Sequence, residues 1–115
     1  MHEVSIAQNI IEIVNSYLPE PNNVDVKTVN VKVGVFTSIM PDALRFGYEV
    51  LTHGTHLQNS VLNIEEVSLK VKCNICGVET GAEPSFIFCN SCGSVDVAIL
   101  EGTELNISDI EIINN

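Results

Sequence analysis

The sequence predicts an α+β fold: a small three-stranded sheet with two helices on one face, plus an inserted four-cysteine, zinc-ribbon-like module. Three patterns lead there. Apolar residues recur at helical spacing over 3–18 and again after Pro41. They alternate at strand spacing over 24–36, 61–72 and 104–113. Four cysteines, as two C-x2-C pairs, stand between the second and third of those strands.

The first helix presents Val4, Ala7, Ile11, Val14 and Leu18 as its apolar stripe, widened by Ile10 and Ile13. Pro19 and Pro21 stop it. In the first strand Val29, Val31, Val33 and Val35 alternate with Asn30, Lys32 and Gly34, so one face is buried and the other wetter. Pro41 opens the second helix at its favoured first position, and Asp42 suits the positive helix end. Its stripe is Leu44, Gly47, Tyr48 and Leu51, joined by Phe46 and Val50, with Gly54 as a C-terminal cap.

The second strand places Leu62 and Ile64 in one parity and Val67, Leu69 and Val71 in the other, with a bulge expected at Glu65-Glu66. The last strand slips in the same way between Leu105/Ile107 and Ile110/Ile112. Apolar strands flank the cysteine segment on both sides. Two parts are therefore expected: an α/β domain of 1–71 and 96–115, and a metal-binding module of 72–95.

A chain of 115 residues, 45% of them hydrophobic, is long enough for one modest core. No apolar run approaches the ~18 residues of a membrane span, and residues 1–18 lack the Lys or Arg of an export signal. A soluble, cytoplasmic protein is expected. The net charge is −10, and the five cations are Lys27, Lys32, Arg45, Lys70 and Lys72. Beyond residue 72 the balance is −7. Such a surface repels phosphate backbones, because nucleic-acid affinity comes mostly from Lys and Arg. It suits metal cations or a basic partner.

Cys73-x2-Cys76 and Cys89-x2-Cys92 are separated by twelve residues. Two disulfides would require an exported protein, and a thioredoxin-like site would require one pair in a βαβ context. In a reducing compartment two such knuckles read as a tetrahedral zinc site, with Gly77 and Gly93 completing the turns.

The amino terminus, Met1-His2-Glu3, offers different chemistry. A histidine in second place can chelate through the terminal amine, its own deprotonated amide and its imidazole. The Glu3 amide falls in the fourth planar position. Four planar nitrogens suit Ni(II) or Cu(II) and do not suit zinc. The bulky His2 disfavours removal of Met1.

With these residues in view, the chain resembles the HypA/HybF family of nickel metallochaperones for [NiFe]-hydrogenase maturation. The matching residues are Met1-His2-Glu3-Val4-Ser5, Val33-Gly34-Val35-Phe36, Pro41, Leu44-Arg45-Phe46 and Gly54-Thr55. Leu62-Asn63-Ile64-Glu65, both cysteine knuckles, Gly102-Thr103-Glu104-Leu105 and Ile110-Glu111-Ile112 continue the match in collinear order. Phe36, where the family more usually has leucine, and Gly47 inside the second helix depart from the pattern.

The resemblance implies transient Ni(II) bound by Met1, His2 and Glu3, and structural Zn(II) held by Cys73, Cys76, Cys89 and Cys92. It also implies delivery to the hydrogenase large-subunit precursor, with the GTPase HypB as partner and urease as a further target in some members. No enzymatic activity, no nucleic acid and no membrane are implied. A monomer is expected, with a dimer open to it.

Other candidates carry less. His53 and His56 flank Gly54 at i, i+3 and could bind metal, but read more simply as a cap and a solvated loop residue. Glu65 and Glu66 are strand neighbours and point to opposite faces. No Gly-rich phosphate loop is present, so any GTP hydrolysis belongs to a partner. A zinc-ribbon module for proteins or nucleic acid is the rival reading, and the absence of Lys and Arg from the cysteine segment argues against it.

Overall fold

In the computed structural model the described residues are 2–18 and 25–113. The elements run α1 (His2–Tyr17), β1 (Asp25–Gly34), a 3-10 turn (Val35–Thr37), α2 (Pro41–Thr52), β2 (Val61–Val67), β3 (Lys70–Cys73), β4 (Glu79–Gly81), β5 (Val97–Glu101) and β6 (Leu105–Ile113). The α+β class holds, with two three-stranded sheets, ordered β2-β1-β6 and β4-β3-β5.

The chain divides into two compact units. The first takes in 1–32, 39–65 and 106–115, and the second 33–38 and 66–105. The second unit is thus wider than the 72–95 segment marked out by the cysteines.

In the first unit β1 buries Val29 and Val31 on one face, and Val26 on the other, where Thr28 and Asn30 stay half-buried. Helix α1 buries Ala7, Ile10, Val14 and Leu18, and α2 buries Leu44 and Tyr48. Ile13 departs from the expected stripe and lies 43% exposed. The helices pack on each other at Gly47, where a Cβ would sit 3.7 Å from Ala7 Cβ and Val4 Cα. Tyr48, fully buried, meets Ser60 Oγ through its hydroxyl at 2.6 Å. Burial raises its pKa, and the Ser60 contact only partly offsets this. Across the sheet the Asn63 amide donates to Asn30 Oδ1 at 2.8 Å, and the Asn30 amide donates to Asp109 Oδ1 at 2.5 Å, a polar rung over all three strands.

The expected strand 61–72 is two strands, β2 and β3, which belong to different sheets. The parity change at Glu65-Glu66 marks the approach to this break. The strand ends at Val67, and Leu69 and Val71 turn into the core of the second unit. Strands β4 and β5 lay outside the sequence reading. The three residues of β4 hold no apolar alternation, and its position comes from pairing, Lys70 opposite Gly81 and Lys72 opposite Glu79. A Lys70–Glu79 ion pair at 3.2 Å lies along that edge. On the other edge Val71 pairs with Ile99 and Cys73 with Val97.

The second unit closes where two backbone segments touch. Gly34 N–H donates to Glu104 O at 2.7 Å and Phe36 N–H to Gly102 O at 2.8 Å. A Cβ on Gly34 would stand 2.0 Å from Gly102 O, inside van der Waals contact. Gly34→Ala should therefore cost about 1–3 kcal/mol, the scale of overpacking, read from chemical unfolding. Gly47→Ala has the opposite sign: its Cβ meets only ordinary contacts, and an interior helical alanine should stabilise by about 0.5–1 kcal/mol.

Candidate functional site

Strand β3 delivers Cys73 to a tight turn, closed by Gly77 N–H donating to Cys73 O at 3.0 Å with Gly77 at φ 78°. The second knuckle repeats the geometry: Gly93 N–H donates to Cys89 O at 2.8 Å, with Gly93 at φ 80°. Both glycines occupy the left-handed region that other residues rarely adopt.

These turns aim backbone donors at sulfur. The amides of Ile75 and Cys76 lie 3.3 and 3.4 Å from Cys73 Sγ, and the Cys92 amide 3.5 Å from Cys89 Sγ. Between the knuckles, Cys73 Sγ stands 3.6 Å from Cys92 Sγ, and Cys76 Sγ 3.6 Å from Cys89 Sγ. All four sulfurs fall within 4.8 Å of one another. A tetrahedral zinc with Zn–S of about 2.3 Å requires S···S separations of about 3.8 Å. The four cysteines fit zinc with only small side-chain shifts.

Their acidities agree with that fit. The Cys76 amide favours the Cys73 thiolate, burial opposes it, the Ile75 amide adds to the first effect, and the pKa falls to about 6. Cys89 is lowered in the same way, chiefly by the Cys92 amide. At Cys92 the Ser94 amide pulls downward, but the Cys73 sulfur, burial and the other two sulfurs outweigh it, and the pKa rises to about 12. Four thiolates this close repel one another. A bound divalent cation removes that repulsion.

A clamp that spacing did not reveal holds the first knuckle in place. The Asn74 side-chain amide donates to Asp96 Oδ1 at 3.0 Å, and the Asn74 N–H donates to Asp96 O at 2.9 Å. The only sequence signal for it is an Asn inside one knuckle and an Asp just beyond the other.

Of the amino-terminal trio, Met1 and the side chain of His2 lie outside the described residues. His2 is the first residue of α1, and Glu3 lies in its first turn. Glu3 Oε2 accepts the N–H of Met40 at 3.3 Å, linking the start of α1 to the residue before α2. His53 caps the end of α2, and His56 Nε2 lies 2.8 Å from Asn15 Oδ1. Among the described residues the four cysteines are the one group of three or more potential ligands whose donor atoms converge. Glu65 and Glu66 are both exposed. No described helix is long and apolar enough to cross a membrane.

An α+β chain with a converged four-thiolate cluster is a small metal-binding protein. The family model described as "Hydrogenase/urease nickel incorporation, metallochaperone, hypA" matches residues 1–112. The hydrogenase maturation factor HypA of Trichormus variabilis is 41% identical over 112 residues, covering 97% of this chain and 96% of that one. That of Rhizobium leguminosarum is 37% identical over 113 residues, covering 98% and 100%. The solution structure of the Ni metallochaperone HypA from Helicobacter pylori superposes with a TM-score of 0.67 at 18% identity over the whole of both chains. A second HypA solution structure gives 0.72, also at 18% identity. The chain belongs to the HypA family of nickel metallochaperones for hydrogenase maturation.

Replacing Cys76 or Cys92 by Ala should abolish stoichiometric zinc in metal analysis of the purified chain. Hydrogen exchange should show 73–94 opening while α1, α2 and β1 remain protected. Full zinc occupancy in Cys92→Ala would exclude the four-cysteine site.

Proposed function

We propose that this protein carries Ni(II) at Met1-His2-Glu3 and passes it to the [NiFe]-hydrogenase large-subunit precursor in the cytoplasm. A HypB-type GTPase works with it, and urease is a further recipient of the nickel. The observation that supports this reading is that the family model matches residues 1–112, a span that includes Met1, His2 and Glu3.

The chelate would use the Met1 amine, the His2 amide and imidazole, and the Glu3 amide. The first N–H groups of a helix are not committed to its hydrogen-bond ladder, so deprotonating the His2 amide breaks no turn of α1. A planar set of main-chain nitrogens at a chain end can be exchanged one ligand at a time. No cage has to open for the ion to leave.

The zinc reading is complementary. Cys73, Cys76, Cys89 and Cys92 would hold the ion permanently. When bound it cross-links the two knuckles, worth on the order of 10 kcal/mol of apparent folding energy. In this division the α/β part, 1–71 and 96–115, handles nickel and the 72–95 module holds zinc. The chain acts as a monomer.

Two measurements test the reading. Adding one or two residues before Met1 keeps the His2 side chain but converts the amine to an amide. Nickel affinity should fall by about 100-fold or more, beyond what outer-shell changes at metal sites cost, while zinc and fold persist. His2→Ala should lose nickel likewise. Planar ligation also requires diamagnetic, low-spin nickel. Undiminished nickel binding by the extended chain would move the site to side chains, with His53 and His56 the first to test.

For the partner, calorimetry should detect binding to the GTPase, weakened by salt where exposed charges contribute, since screening acts beyond ~10 Å at about 0.1 M. Duplex DNA should show no binding at the same salt. Micromolar DNA affinity that falls steeply with salt would instead favour the zinc-ribbon reading.

A further inference from the structure

The four cysteines differ in access, and the difference is paired across the knuckles. Cys76 and Cys92 are exposed, whereas Cys73 and Cys89 are buried. The two sulfur–sulfur contacts at 3.6 Å join Cys92 to Cys73 and Cys76 to Cys89. The sulfur of each exposed cysteine therefore lies against that of a buried cysteine from the other knuckle.

We propose that the cluster is a peroxide-oxidisable site, converted to two disulfides, Cys73–Cys92 and Cys76–Cys89, with release of its zinc. This rests on the zinc reading above.

The sulfur of Cys92 or Cys76, the two exposed cysteines, attacks peroxide; the O–O bond breaks, a sulfenic acid forms, and hydroxide leaves. The buried partner's thiolate then attacks that sulfur, breaking the S–O bond, forming the disulfide and expelling the second hydroxide. Each pair gives two electrons to one peroxide, and two protons from solvent turn the hydroxides into water. The zinc stays divalent throughout and leaves because its four thiolates have been consumed.

Geometry selects the pairing. A disulfide of about 2.0 Å across the knuckles closes contacts that already stand at 3.6 Å. Cross-knuckle bonds leave both turns, with Gly77 N–H on Cys73 O and Gly93 N–H on Cys89 O, as they are.

The test uses the full chain as purified. Zinc is measured first, hydrogen peroxide is then titrated in, and released zinc is followed with a chromogenic chelator. One zinc per chain should appear as two peroxides are consumed, and a thiol reductant with added zinc should restore the starting state. Cleavage after Glu79 and Glu83 under non-reducing conditions should leave the two knuckle peptides joined. Fragmentation of the joined species should assign Cys73–Cys92 and Cys76–Cys89. Bridges within a knuckle, the reverse cross-pairing, or sulfinic and sulfonic acids without disulfide would overturn the proposal. A chain purified without zinc would overturn the zinc reading, and the disulfide map would still decide the pairing.

Discussion

The second unit depends on one constraint: four sulfurs must be held at a single point. Apart from Cys73 and Cys89, its buried apolar side chains are few, chiefly Val33, Leu69 and Val71. A core that small cannot order some forty residues against their conformational entropy. The knuckle turns, the Asn74–Asp96 clamp and the pairing of β3 with β4 and β5 all converge on Cys73 and its three partners. The opposed acidities of Cys73 and Cys92 express the same constraint, because thiolates brought this close need a cation among them.

The first unit is built on the opposite principle. Two helices and one sheet face bury Ala7, Val14, Val29, Val31, Leu44 and Tyr48 completely or nearly so, and ordinary packing sustains them. Under the proposed function, permanence and exchange are separated along the chain. A four-thiolate cage suits an ion that stays. The proposed amino-terminal chelate, made largely of main chain, suits an ion that must be passed on. The acidic balance of the chain, −10 overall, fits cation handling.

Much of this was legible in residue order alone. Strong periodicities located α1, β1, α2 and β6 to within a residue or two, because 3.6-fold and two-fold apolar spacing report directly which face is buried. The cysteine spacing located the metal cluster, since two residues between thiols and a glycine after them define a turn that aims both sulfurs at one point.

Other features were settled only by tertiary contacts. Residues 61–72 look like one strand, yet Val67 ends one sheet and Lys70 begins another, because Leu69 and Val71 are buried in the second unit, Leu69 against Gly102 and Val71 between Thr80 of β4 and Ile99 of β5. Strand β4 exists through its partner β3, with no apolar pattern of its own. Gly34 must be glycine because Gly102 O, remote in sequence, occupies the space of its Cβ. Which sulfur faces which was likewise undetermined by spacing: C-x2-C brings four thiols together, and only the fold sets exposed Cys92 against buried Cys73 and exposed Cys76 against buried Cys89. Local patterns report a residue's face and its turn. Pairings between distant segments depend on the packed chain, where each contact is chosen by the space the others leave.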